Sequence, residues 1–238
     1  FRRVLFRSVK ERTGIEVRVI SGEEEAQMSF RGALPNGIGD PASIAVLDIG
    51  GGSTEIVGLD RQGSSSLMRY SFEMGCVRLS ERFLSGDPPA PAELTKLRAF
   101  VREELAKQAE LLSALGGREL VGVAGTATYL ASSALGLTRF EPEKVQGARI
   151  SLAQVQELTE RFARLTASER LGIGVMDQGR ADAIVAGATV DRARCEQSEF
   201  VQHGTDSVFA GVIVIVNLTG QVSVIVPGKQ SQAQSASD

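Results

Sequence analysis

Asp48-Ile49-Gly50-Gly51-Gly52-Ser53-Thr54-Glu55 lies between two short apolar runs, Ile44 to Leu47 and Ile56 to Leu59. The first run is too short for a helix and leads into three glycines, so the pattern predicts strand, tight turn, strand. Three glycines strip the turn of side chains, and backbone N–H groups can then converge on an anion. Ser53 and Thr54 add hydroxyl donors. Asp48 and Glu55 bracket the turn with carboxylates, which suit Mg²⁺ or an attacking water better than direct contact with a phosphate. A ligand-free glycine hairpin explains the three glycines alone equally well. Asp before them and Ser-Thr-Glu after them favour phosphate binding.

Upstream of this stretch, Leu34 to Pro41 holds prolines, glycines and an Asn-Gly pair, and reads as a loop and a domain boundary. Before it, Glu23, Glu24 and Glu25 open a helix running to about Ala33, with Ser21 and Glu24 placed as a capping box. The helix dipole accounts for one or two glutamates there, but not for three in a row. The other reading is a carboxylate at a helix start that faces the phosphate loop and acts as general base towards water. Both stay open from this stretch alone. Ile15 to Ile20 alternates apolar and charged residues, as a strand does. Residues 1 to 13 read as a helix stopped by Gly14. Leu5-Phe6-Arg7-Ser8 resembles a translated sequencing adapter, so roughly the first eight residues read as non-native, with the true protein beginning earlier.

Downstream, Ser64 to Phe72 predicts a third strand after the turn Asp60 to Gly63, and Met74 to Leu79 begins a helical stretch with Gly75 at its start. Arg78 and Arg82 share one face of it, either a solvated face or a basic patch near a polyanion. After Pro88, Pro89 and Pro91, apolar spacing predicts one helix from about Ala92 to Leu115, ended by Gly116-Gly117. Leu120 to Ala124 reads as a buried strand. Gly125-Thr126-Ala127-Thr128 forms a second glycine-led turn, then a helix to about Leu135. Free N–H groups at that helix start make a second candidate anion site. Ser151 to Leu165 predicts a helix capped by Ser151. Arg180 to Cys195 predicts a helix rich in small residues, with Gly187 permitting close approach to a neighbour. Glu199 to Gln202 is strand-like, Gly204 to Ser207 a turn, and Val208 to Val216 fits strand or helix. The polar tail from Gln230 reads as disordered.

The 238 residues are 42% hydrophobic and 23% charged, ordinary for a globular protein. A net charge of −3 and a pI near 5.5 argue against a general nucleic-acid binder, and hence against DNA as partner. A polyanion on a local basic patch stays compatible with that charge. Cys76 and Cys195 match no metal or redox spacing and read as reduced thiols. A single histidine, His203, argues against a histidine metal site or a Ser-His-Asp triad. No apolar run reaches membrane-spanning length and no secretory signal is evident, so the expectation is a cytoplasmic protein without membrane contact.

Ile20-Ser21-Gly22-Glu23-Glu24-Glu25-Ala26, followed by Val46 to Glu55, resembles the exopolyphosphatase / guanosine pentaphosphate phosphatase (Ppx/GppA) family. Met74 to Phe83, Gly122 to Thr128 and Gly179-Arg180-Ala181-Asp182 are similar too, in the same order. The resemblance implies a two-domain α/β protein of the actin-like ATPase (ribonuclease-H-like) fold, its second domain a mixed sheet flanked by helices, with the active site in the cleft between domains. It implies Glu25, with Glu24 as the alternative, as the base that activates water. It places Gly50, Gly51, Gly52, Ser53 and Thr54 on phosphate, with Gly125 and Thr126 as a further phosphate-binding element. It puts Asp48 and Glu55 near Mg²⁺. The reaction implied is release of terminal phosphate from inorganic polyphosphate or from guanosine pentaphosphate. The two substrates stay unseparated, and Arg69, Arg78, Arg82, Arg139 and Arg149 are candidates to line a polyphosphate path.

Two departures matter. The family's first glycine loop, of Asp-x-Gly-Ser-Asn-Ser type, is absent, and the match weakens from about Gln197. The expectation is therefore a remnant of the first domain over 1–40, the second domain over 41–226 and a tail over 227–238. Such a chain is expected to be nearly inactive alone, while family members tend to be homodimers. Two other classes compete: an actin-like nucleotide-binding module for assembly or scaffolding, and a sugar or acetate kinase of the same superfamily, which needs an acceptor pocket that no stretch announces.

Overall fold

In a computed structural model that describes residues 7, 10–14, 22–33, 40–60, 66–173, 175–200 and 211–214, the apolar runs around the glycines pair as an antiparallel hairpin. Its strands are β1 (Ile44–Ile49) and β2 (Thr54–Leu59), with Ile49 opposite Thr54 and Asp48 opposite Glu55. Pro41 to Ser43 precede β1 as a 3-10 turn, capped by the Asp40 side chain on the Ala42 N–H at 2.9 Å. β3 (Leu67–Phe72) pairs antiparallel with β2 and completes the meander. β4 (Glu119–Val123) lies parallel to β1 on its other side. β6 (Gly211–Val214) lies parallel to β4, and β5 (Ala148–Ser151) antiparallel to β6. The mixed sheet thus has six strands in the order β3-β2-β1-β4-β6-β5. Pairing with β4 decides the open reading of Val208 to Val216: its described part is strand. β5, which the sequence did not announce, is four residues long, too short for a periodic signal.

Eight α-helices follow the meander among the described residues, after α1 (Gly22–Gly32) before it. They are α2 (Cys76–Phe83), α3 (Pro91–Ala106), α4 (Ala109–Ala114), α5 (Ala124–Ala134), α7 (Leu152–Arg164) and α9 (Gln178–Phe200), with the short α6 (Pro142–Val145) and α8 (Ala167–Leu171) between them. Ile44, Val46, Val57 and Val121 point to one face of the sheet and pack with Phe30 and Ala33. Ala45, Leu47, Ile49, Ile56, Phe72 and Leu120 point to the other, where α2, α3, α5, α7 and α9 build the larger core. β1 is apolar on both faces because both are covered.

Three expectations are corrected. The single helix from Ala92 to Leu115 is two helices, broken at Lys107-Gln108. The Gln108 N–H turns to the Leu105 carbonyl (3.1 Å), one residue short of the α-helical partner, which leaves Ala109 exposed and returns Leu112 and Leu115 to the core. No separate turn leads with Gly125. β4 passes directly into α5 through Ala124, whose φ of 63° makes the bend, so Gly125 and Thr126 sit in the helix's first turn. Glu199 and Phe200 are helical, because the i→i−4 ladder of α9 extends more easily than a new strand begins. The remaining helices follow their signals. Ser151 caps α7 through a reciprocal pair with Gln154, and Gly14 closes the helical residues 10–13 at φ 70°. The strand over 15–20, the loop over 34–39, the turn over 61–63, the turn over 204–207 and the tail from 230 lie outside the described residues.

The chain divides into two compact units, Phe1–Glu25 with Thr219–Asp238, and Ala26–Leu218. The sheet and the glycine hairpin belong to the second.

Candidate active site

The glycine turn owes its orientation to α2. The first N–H groups of that helix have no partner within it. Here they find one in the turn: Cys76 donates to the Gly50 carbonyl (2.9 Å), and Val77 and Arg78 both donate to the Gly51 carbonyl (3.0 and 3.1 Å). The approach requires a glycine at the helix N-cap, since a Cβ on Gly75 would lie 2.4 Å from backbone atoms of Gly51 and Gly52. In a trans peptide the N–H points opposite to the carbonyl of the same unit. The carbonyls of Gly50 and Gly51 face α2, so the N–H groups of Gly51 and Gly52 face away from it. Both residues are exposed, and Ser53 beside them is half-buried. Two N–H groups with no intervening side chain form an anion-binding concavity. Arg78 adds positive charge at its rim, with a guanidinium nitrogen 3.7 Å from where a Gly52 Cβ would be. Arg78 is itself paired with Glu73.

Residues directly opposite in an antiparallel pair carry their side chains on one face, so the carboxylates of Asp48 and Glu55 stand side by side behind the turn. Ser71, opposite Glu55 on β3, donates its hydroxyl to Glu55 at 2.7 Å. Both carboxylates are half-buried. Among the described residues no three His, Cys, Asp or Glu side chains gather into a metal cluster. A pair is nevertheless the donor set Mg²⁺ takes when waters and substrate phosphates supply the other oxygens.

The parallel pairing of β1 and β4 sets Asp48 opposite Val123 and so brings the start of α5 to the same end of the sheet as the glycine turn. Ligands of open α/β sheets bind outside the carboxyl ends of parallel strands, and a helix N-terminus favours an anion there. Over Gly125 lies a residue the sequence reading had placed only in a motif: a Cβ on Gly125 would meet the Arg180 guanidinium carbon at 2.4 Å. Arg180 stands in the first turn of α9. Its backbone N–H donates to Asp177 Oδ1 at 3.0 Å, and its guanidinium lies 5.8 Å from the centre of the Tyr129 ring. The Tyr129 hydroxyl donates to Asp177 Oδ2 at 2.5 Å. Helical periodicity had marked Arg180 only as the start of a packed helix. What sets it apart is the missing side chain at Gly125, 55 positions earlier by number, and no local pattern links the two.

The predicted site residues therefore divide. Gly50, Gly51, Gly52, Ser53, Asp48, Glu55 and the backbone of Gly125 come together at one end of the sheet. The hydroxyl groups of Thr54 and Thr126 turn inward instead. Thr54 is fully buried and donates to the Met74 carbonyl at 2.9 Å. Thr126 is buried against α9, where a Cβ on Gly187 would meet its Oγ1 at 2.7 Å. Glu24 and Glu25 lie in the first turn of α1, within the other compact unit, and the Glu25 side chain is outside the described residues. Of the five candidate arginines Arg78 adjoins the turn. Arg82 lies over Phe83 and Phe100 (4.9 and 4.3 Å), Arg139 and Arg149 pair with Glu141 and Glu119, and Arg69 is exposed on β3. Among the described residues no helix is long and apolar enough to cross a membrane.

A hairpin, a parallel strand feeding a helix at its side and helices on both faces are the elements of the actin-like ATPase fold. Solved structures agree: that of an exopolyphosphatase-like protein (TM-score 0.77, 29% identity, 90% of this chain and 69% of that one) and that of the Aquifex aeolicus Ppx/GppA enzyme (TM-score 0.75, 26% identity, 90% and 66%). The profile of the Ppx/GppA phosphatase family matches residues 2–197, and the chain belongs to that family. It is 38% identical over 177 residues to Exopolyphosphatase 2 of Mycobacterium tuberculosis, covering 74% of this chain and 54% of the relative. It is 32% identical over 191 residues to Exopolyphosphatase 1 of Mycobacterium bovis, covering 78% and 53%. The chain spans about half the length of these curated relatives.

Proposed function

We propose that the protein to which this chain belongs is a phosphohydrolase that releases terminal phosphate from inorganic polyphosphate. The observation that carries the reading is the pair of N–H groups of Gly51 and Gly52, turned outward because α2 holds the carbonyls behind them. The likeness to two proteins named exopolyphosphatases supports polyphosphate over a guanosine polyphosphate as substrate. The N–H pair and Arg78 hold one phosphoryl group, and the start of α5 with Arg180 holds a neighbouring one. A linear polyanion engages both at once. Asp48 and Glu55 would hold Mg²⁺, which supplies charge neutralisation at the phosphoryl oxygens. A glutamate at the start of α1, Glu25 with Glu24 as the alternative, accepts the proton of the attacking water. Electrostatic positioning suffices for phosphoryl transfer, so neither thiol nor histidine is required as nucleophile.

Calorimetric titration of this chain with inorganic tripolyphosphate in Mg²⁺ tests the cradle. Gly52→Asp has room in the fold, since the nearest neighbour of its Cβ is at 3.7 Å, but it sets a like charge against the phosphate. Binding should weaken at least about tenfold at unchanged melting temperature. Equal binding by the variant, or none by the wild type, would refute the reading. Phosphate release from long-chain polyphosphate by the whole protein, lost in Glu25→Gln with binding retained, tests the base.

A further inference from the structure

Arg180 is held from two helices at once. On α5, Tyr129 stands one turn after Gly125 and so shares its face. Its ring underlies the guanidinium that occupies the space above Gly125. On α9, Asp177 caps the helix start through the Arg180 N–H. The two helices meet in one carboxylate, because the other oxygen of Asp177 accepts the Tyr129 hydroxyl at 2.5 Å. Burial, and then this hydrogen bond, push the Tyr129 hydroxyl up to about 12, so it remains a donor. The same bond, more than any other cause, holds the Asp177 carboxyl below the usual carboxylate range, so it remains an acceptor. An arginine side chain on a bare helix start would sample many rotamers. Here the cap holds the backbone of Arg180, and its guanidinium lies over the Tyr129 ring in the space that the absent side chain at Gly125 leaves.

We propose that Tyr129 and Asp177 are positioning residues that fix the Arg180 guanidinium over the first turn of α5, where it meets the second phosphoryl group of a bound polyphosphate. The proposal rests on the polyphosphate reading. Neither residue need touch the ligand; each acts through Arg180.

A double-mutant cycle read by calorimetry with tripolyphosphate separates this role from a structural one. Arg180→Ala should bind about tenfold more weakly. Tyr129→Phe keeps the ring but loses the hydroxyl, and should bind about threefold more weakly. In the Arg180→Ala background the same Tyr129→Phe change should cost nothing, because no guanidinium is left to place. Asp177→Asn should follow the same pattern, and melting temperatures identify any variant whose loss comes from unfolding. The proposal fails if Tyr129→Phe and Asp177→Asn bind as tightly as the wild type while Arg180→Ala does not. It fails equally if the Tyr129→Phe loss persists without Arg180. If Arg180→Ala binds as tightly as the wild type, the second half of the phosphate cradle falls and this proposal with it.

Discussion

Gly75→Ala is the sharpest test of how the glycine turn is built. Gly75 has φ −76° and ψ 160°, values any residue adopts. On backbone grounds alone alanine there would stabilise by about 0.4–1 kcal/mol, through the reduced freedom of the unfolded chain. The obstacle is contact. The new Cβ would lie 2.4 Å from Gly51 C, Gly51 O and Gly52 N, all backbone atoms that no rotamer change can move. Carbon atoms in contact sit about 3.5–4.0 Å apart, so the turn and α2 must separate by about 1 Å. The bonds from Cys76, Val77 and Arg78 to the turn are now 2.9, 3.0 and 3.1 Å. Opened by that amount they pass beyond hydrogen-bond range. At about 0.5–1.5 kcal/mol each, the three together are worth about 2–4 kcal/mol. The net expectation is destabilisation by about 1–3 kcal/mol.

Urea unfolding followed by far-ultraviolet circular dichroism suits a protein without tryptophan. Gly179→Ala is the control of opposite sign. Its Cβ would find its nearest neighbour, Asp177 Oδ1, at an ordinary 3.7 Å, and it should be neutral or slightly stabilising. The affinity of Gly75→Ala for tripolyphosphate should fall as well, because the bonds that aim the two N–H groups are gone. Were Gly75→Ala to unfold at the wild-type urea concentration and bind tripolyphosphate equally, the account of the turn as a structure held by α2 would be wrong.

Three further outcomes follow from the same contacts. Thr54→Val removes the hydroxyl that satisfies the buried Met74 carbonyl; it should lower stability by about 1–3 kcal/mol in urea while tripolyphosphate affinity stays within about twofold, and a large affinity loss at unchanged stability would return Thr54 to the phosphate. Gly187→Ala drives a Cβ to 2.7 and 2.8 Å from Oγ1 and Cγ2 of Thr126; it should cost about 1–3 kcal/mol, and Thr126→Ala in the same chain should recover most of the loss, measured by the same unfolding midpoints. Glu93 accepts hydrogen bonds from Ser85, Gly86 and Ala90, and chiefly the Ser85 hydroxyl brings its carboxyl down to about 2 from 4.5. A depressed folded-state value means stabilisation that is present above the ordinary carboxylate range and lost as pH falls from about 4.5 to about 2; the melting-temperature gap between wild type and Glu93→Gln should close across that window, and a constant gap would refute the assignment.

The meander with its glycine turn and the capped helix after Ser151 could be read from sequence because their causes are local. Apolar runs of strand length, a glycine triplet and a Ser-x-x-Gln pair act within a few residues of themselves. What sequence misjudged acted over longer spans. The break at Lys107-Gln108 follows from the need of Leu112 and Leu115 to reach a core built by other helices. The strand over 211–214 exists because β4 and β5 stand on either side of it, and its apolar run alone fits either secondary structure. The two threonines show the limit at the site. Thr54 and Thr126 each carry a hydroxyl within two residues of a glycine, and only packing decides that both face inward, one to the Met74 carbonyl and one to Gly187.

Sequence by itself determined the family, the sheet strands around Asp48 to Glu55 and the residue types on which the proposed phosphate and Mg²⁺ site draws. Tertiary structure decided which of those groups the ligand can meet. The Gly51 and Gly52 N–H groups are aimed by a helix that begins 25 residues later, and Arg180 reaches Gly125 from another helix altogether. A hydrogen bond is directional and short, so its use at a site depends on which distant backbone arrives within about 3 Å, and linear order does not record that.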